Sequence, residues 1–113
     1  MRFLCLAYGD EDGWNALSAA EQREVLAHDA VIRDRGNFMS AVGTNVTAVR
    51  NWEGHLCIAK EPYAQHALPL AGFAVIEAES VQEVVALVSN TPCARASGVI
   101  EIRPLREVGG DGA

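Results

Sequence analysis

Leu70-Ala71-Gly72-Phe73-Ala74-Val75-Ile76 runs directly into Glu77-Ala78-Glu79-Ser80 and then into the segment Val81 to Val88. Alternation places Phe73 and Val75 in one row and Ala74 and Ile76 in the other, and both rows are apolar. A strand with no polar face is buried on both sides. Ser80-Val81-Gln82-Glu83 then forms a capping box, and Val81, Val84, Val85 and Val88 recur at i, i+3, i+4 and i+7, so the spacing predicts an amphipathic helix. β-branched valines are mediocre helix formers, and tertiary packing must hold this one. Asn90-Thr91-Pro92 ends it, and a short turn through Arg95 leads to Gly98.

The flanking segments arrange themselves around that pair. Val99-Ile100-Glu101-Ile102-Arg103 reads as the last strand, closed by Pro104. Near the start, Arg2-Phe3-Leu4-Cys5-Leu6-Ala7-Tyr8 is again apolar in both rows and again reads as buried on both faces. Gly9-Asp10-Glu11-Asp12-Gly13 breaks it. Its carboxylates lack the spacing and distal Glu of an EF-hand, so a solvated loop is expected there. Ser18-Ala19-Ala20-Glu21 is a first capping box, opening a helix to about Arg35 that Gly36-Asn37 stops. Val25 and Ile32 fall close together on its wheel, with Val31 on the flank and His28 inward. Asp29 and Arg33 read as an exposed ion pair one turn apart. Leu26 lies off the stripe, which suggests cover on more than one side.

Phe38 to Gly43 is a weak strand. Val46 to Arg50 and His55 to Ala59 are firmer ones, joined around Asn51-Trp52-Glu53-Gly54, where Gly54 supplies the positive φ of a tight hairpin. Lys60 to Pro69 has two prolines and no period, and reads as a loop of the length that is more often functional than idle. Residues 1–105 read as one domain and 106–113 as a flexible tail ending in Gly109-Gly110-Asp111-Gly112-Ala113.

The order β-α-β-β-β-β-α-β is an α+β arrangement that matches the split, ferredoxin-like plan with an antiparallel sheet and an extra hairpin. Two helices cover one face of such a sheet. Leaving large apolar side chains of the other face in water costs roughly 1.5–3 kcal/mol each. A second copy is the simplest cover, so a sheet-to-sheet homodimer is expected.

The totals narrow the function. The chain has 113 residues, half of them apolar and 21% charged, with a formal charge of −6. That is ordinary globular composition. The nine basic residues are scattered from Arg2 to Arg106, with no stripe to track a phosphate backbone, so direct nucleic-acid binding is disfavoured. The apolar run Phe3 to Tyr8 is too short for a membrane span or a signal-peptide core, which reads as a cytoplasmic protein. Cys5, Cys57 and Cys93 have no CxxC spacing, so neither a disulfide framework nor a zinc site is suggested. Nothing resembles a phosphate-binding glycine loop, a nucleophile elbow or a metal-ligand cluster, and no cofactor is expected.

The polar groups left over supply the candidates. His28, on an apolar helix face, is either a general base facing the space between helix and sheet or a core histidine bonded to a backbone carbonyl. His66 and Tyr63, on the long loop, are placed to close over a ligand. Arg103 shares a strand face with Glu101, to clamp a carboxylate or to make an ion pair at the dimer seam or sheet rim. Tyr8, Trp14 and Trp52 are aromatic lining or packing.

Tyr8-Gly9-Asp10-Glu11 with Trp14, Gly72-Phe73 entering the central strand, and Glu101-Ile102-Arg103-Pro104-Leu105 resemble the YCII-related, or DGPF-domain, proteins over residues 1–105. The resemblance implies a dimeric α/β barrel of ferredoxin-like subunits. Most members have no assigned activity. A few relatives act on small ring compounds through a His with an Asp partner, and others are encoded beside alternative sigma factors. The relatives' His aligns with Glu24 as closely as with His28. The family's usual loop reads Asp-Gly-Pro-Phe-x-Glu-x-Lys-Glu, and counting back from Gly72 sets it on Lys60 to Leu68. Pro62 matches and Tyr63 stands in for Phe. Lys60, Glu61, Gln65, Ala67 and Leu68 depart from the pattern, so the length is kept while the chemistry is rewritten.

The expectation is therefore a homodimer with a pocket between the first long helix, the sheet and the Lys60–Pro69 loop. It would take a small organic metabolite, aromatic or carboxylated. As an enzyme it would be a cofactor-independent isomerase, cyclase or lyase, with His28 or His66 as base and with Tyr8, Trp14, Tyr63 and Arg103 around the substrate. The alternative is a non-catalytic partner of a transcription regulator.

Overall fold

A computed structural model describes residues 1–106. Its elements are β1 (Arg2–Tyr8), α1 (Glu11–Asn15), α2 (Ala19–Asp34), β2 (Phe38–Ala41), β3 (Ala48–Trp52), β4 (His55–Ala59), β5 (Leu70–Glu77), α3 (Val81–Val88), α4 (Pro92–Arg95) and β6 (Val99–Pro104). Strands β2-β5-β1-β6 form one antiparallel sheet in that order, and β3-β4 form a separate two-stranded one. With the hairpin set aside, this is the strand order of the split β-α-β plan, in which the central pair β5 and β1 is the doubly apolar pair. The sheet is open, with β2 and β6 at its edges. Within one chain there is no closed barrel among the described residues.

The core lies on one side of the sheet. Phe3 and Cys5 of β1 and Ala74 and Ile76 of β5 are buried against Ile32 of α2 and against Val84 and Val88 of α3. The other rows, Leu4 and Leu6 opposite Val75 and Phe73, are only half-buried, and Phe38 beside them is 62% exposed. The helices thus cover one apolar face and leave the second without a helix, as the strand pattern requires. Leu26 and Val31 on the outside of α2 are also exposed, so one chain covers that helix on one side alone.

The helix ends follow their caps, with one difference. At α2 the box is complete: the Glu21 amide donates to Ser18 Oγ (3.1 Å) and the Ser18 amide to Glu21 Oε1 (2.9 Å). These bonds hold the Glu21 carboxyl below the usual carboxylate range. At α3 only half the box forms. Ser80 Oγ accepts from the Glu83 amide, while the Glu83 carboxylate turns to the Arg35 guanidinium at 3.0 Å.

Two segments expected to be irregular are helical. From Glu11 the acidic segment is helix rather than loop, its carboxylates still exposed: Asp10 Oδ1 accepts from the Gly13 amide (2.9 Å) and caps α1. Gly13 is fixed by contact, since a Cβ there would lie 2.0 Å from the Ala96 carbonyl oxygen. The turn before Gly98 contains α4, with Pro92 in its first turn, where the missing amide costs nothing. The hairpin turn is the two residues Glu53 and Gly54, at φ 54° and 79°, and this shifts β3 two residues later than the sequence suggests. Most of the expected C-terminal tail lies outside the described residues.

Candidate active site

A cavity of about 320 Å³ sits on the helix side of the sheet, between α2, the sheet and the start of α4. Its walls are mostly apolar: Ile32, Met39, Ile76, Val88 and Ile100, with Cys5 and Ala74 in the floor. The capped register of α2 sends Asp29 and Arg33, one turn apart, into the same wall, and α4 brings Cys93. At β5, Gly72 lets β2 come close, because a Cβ there would stand 2.8 Å from the Ser40 carbonyl oxygen.

The electrostatics centre on Asp29. Burial pushes its carboxyl above the ordinary value, and the positive charge of Arg33 only partly opposes this. Withdrawing a carboxyl from water disfavours its charged form. Burial also pushes the Cys93 thiol up, and the Asp29 charge pushes it further the same way, so the two groups sense each other. Cys93 is held as a neutral thiol, and thiolate chemistry is disfavoured there. Asp29 is half-buried while Arg33 is exposed, and among the described residues no ion pair joins them, so the exposed pair that their spacing suggests does not form. Among the described residues, no three His, Cys, Asp or Glu side chains are grouped as a metal ion needs.

The residues singled out by sequence lie elsewhere. His28 is half-buried on α2 but does not line the cavity; its neighbour Asp29 does. On a 100° wheel both stand about 50° from the Val25–Ile32 axis, on opposite flanks, so periodicity alone does not choose between them. Tyr8 and His66 are brought together, with ring centroids 5.3 Å apart in an edge-on arrangement. By alternation Tyr8 belongs with Leu4 and Leu6, in the row away from the cavity. Trp14 is half-buried on α1, where its carbonyl accepts from Gln22 Nε2 (3.0 Å). Tyr63 is 85% exposed. Arg103 Nε donates to Glu101 Oε1 at 2.9 Å on the edge strand β6, and Arg103 does not line the cavity.

A family model described as the YCII-related domain matches residues 1–108. The chain belongs to the YCII-related family. No curated protein matches it. In this YCII-related chain the rewritten loop from Lys60 to Pro69 does not line the cavity, which corrects the pocket expected between helix, sheet and loop. Residues 61–67 are exposed, and the loop is tied mainly to its own surroundings, through Lys60 Nζ to Thr47 Oγ1 (3.3 Å) and Gln65 Nε2 to the Pro62 carbonyl (3.1 Å). Sequence reasoning missed Cys93 because a four-residue helix has no period to detect.

Proposed function

We propose that this YCII-related protein is a homodimer joined through the helix-free face of its sheet, its two sheets closing into a dimeric α/β barrel. Each subunit binds a small carboxylated organic molecule in the cavity on the other face, where Asp29 moves a proton. The observation that carries the reading is a half-buried carboxyl with a raised pKa inside an apolar cavity of about 320 Å³. Pockets of that size, apolar apart from a few convergent polar groups, suit small metabolites, and a perturbed carboxyl is suited to acid–base work near neutral pH.

The roles follow from position. Arg33 orients a substrate carboxylate from the wall it shares with Asp29, by two parallel N–H donors. Asp29 in its ionised form accepts a proton from a carbon next to that carboxylate or a carbonyl. In its acid form it returns the proton to another atom of the substrate, and nothing is consumed. One group that takes and returns a proton suffices for isomerisation, whereas cyclisation or elimination needs a second donor. Ile32, Ile76, Val88 and Ile100 keep water from quenching the intermediate anion. Dimer formation covers Phe38, Phe73, Val75, Leu4 and Leu6, whose exposure is otherwise unfavourable.

The test is a thermal-shift screen of small mono- and dicarboxylic acids, aromatic ones included. A binder raises the melting temperature of the wild type because it binds the native state alone. Arg33→Gln should abolish the shift, and Asp29→Asn should keep binding while abolishing conversion of the acid. No shift across the panel, together with co-purification of a transcription regulator, would replace this reading with the partner role.

A further inference from the structure

We infer that the β3–β4 hairpin is an exchange arm, whose apolar face docks on the helix-free sheet face of a second copy of this chain. The inference rests on the homodimer reading and says which segment completes the interface.

The hairpin register sets Val49 opposite Ile58 and Asn51 opposite Leu56, so Val49, Leu56 and Ile58 share one face. Their exposures are 64%, 55% and 64% for Val49, Ile58 and Leu56. Among the described residues, β3 and β4 pair only with each other. An isolated two-stranded hairpin is marginal in water and needs a surface to lie on. The chain's own body supplies little. Six residues without regular structure precede the hairpin and ten follow it, 42–47 and 60–69. The radius of gyration is 16.4 Å, against about 13 Å for a compact domain of this length. The long axis is 52 Å and the short one 19 Å. These are the dimensions of a body with a projecting arm.

Two unpartnered apolar surfaces on one chain, an arm and a sheet face, satisfy each other when two copies meet about a two-fold axis, each giving and receiving an arm. Area argues the same way. Four strands about 4.8 Å apart and about six residues long offer a footprint on the order of 400 Å². A stable interface buries about 800 Å² per partner, so the sheet face alone falls short, and the arm, two strands of five residues, adds about 160 Å² on the same measure. Charge permits the approach. In residues 42–69 Arg50 and Lys60 balance Glu53 and Glu61, so the arm is neutral although the chain carries −6.

Hydrogen–deuterium exchange on the full chain tests this, with sedimentation velocity alongside. In the wild type, amides of residues 48–59 should exchange at least tenfold more slowly at dimer-forming concentration than after dilution below the dissociation constant. Val49→Asp combined with Ile58→Asp should raise that constant at least tenfold while leaving the far-ultraviolet dichroism unchanged. Phe38→Asp, on the sheet, should do likewise. A wild-type dimer whose arm amides exchange equally fast at both concentrations would overturn the arm and leave the dimer standing, as would a doubly substituted arm with an unchanged dissociation constant. A wild type that stays monomeric would overturn both.

Discussion

Asp29→Asn separates the cost of the carboxyl from its use. The side chain keeps its shape and loses its charge. In the folded chain burial raises the Asp29 pKa against the weaker pull of Arg33. A raised carboxyl binds its proton more tightly folded than unfolded, so native stability is highest when it is protonated. That advantage is lost as pH rises from the ordinary carboxylate value through the raised one. At neutral pH the wild type therefore carries the full penalty, and the Asn variant does not. Asp29 is only half-buried, so the relief is modest, about 0.5–1 kcal/mol, the lower end of what removing a functional liability gives. For a domain near this size that is about 2–8 °C in Tm. Melting curves of both proteins from pH 3 to pH 8 read it directly: the two should coincide at the acid end and diverge as pH rises. A second readout is Cys93. Removing the Asp29 charge removes one of the two causes that raise its pKa, so Cys93 should react faster with a disulfide reagent in the variant at fixed pH. A variant less stable than wild type at pH 7, or a difference that does not vary with pH, would refute the placement of that carboxyl in the cavity.

Cys5, pushed up to about 11 by burial from 9.0, should alkylate about a hundredfold more slowly than an ordinary thiol at pH 8, the thiolate fraction falling tenfold per unit. Peptide mapping after timed iodoacetamide treatment measures it, and equal labelling of Cys5 and Cys57 would contradict it. Ile76→Ala, at a fully buried site beside the cavity, should cost about 2–5 kcal/mol in a urea titration, whereas a loss below 1 kcal/mol would mean that the core does not centre on β5. Gly13→Ala should cost about 1–3 kcal/mol, because the new Cβ meets the Ala96 backbone rather than a movable side chain. An unchanged Tm would show that α1 does not dock on the end of α4.

Much of the sheet was legible in the alternation itself. β1 and β5 are apolar in both rows, which predicts central strands, and they occupy the middle of the order β2-β5-β1-β6. The capping residues Ser18 and Ser80 located both main helices to within a residue. The short helices were not legible, because five residues from Glu11 and four from Pro92 carry no full period, and their caps looked like loop chemistry. The cavity was harder still. His28 and Asp29 sit symmetrically about the buried axis of α2, and periodicity does not tell that Asp29 is the one that lines the cavity. Cys93 arrives from an element invisible to periodicity. The Tyr8–His66 contact depends on the path of a ten-residue loop, which no local pattern fixes. Residue spacing specified the layers, and tertiary packing selected the polar groups that enter the cavity.

Native mass spectrometry at low micromolar concentration weighs the chain most directly. One sheet face carries Phe38, Phe73 and Val75 with no helix over them, so the predicted species is twice the 12.1 kDa chain, about 24 kDa. A single 12.1 kDa species persisting at that concentration would mean that this face tolerates water, and would contradict the account.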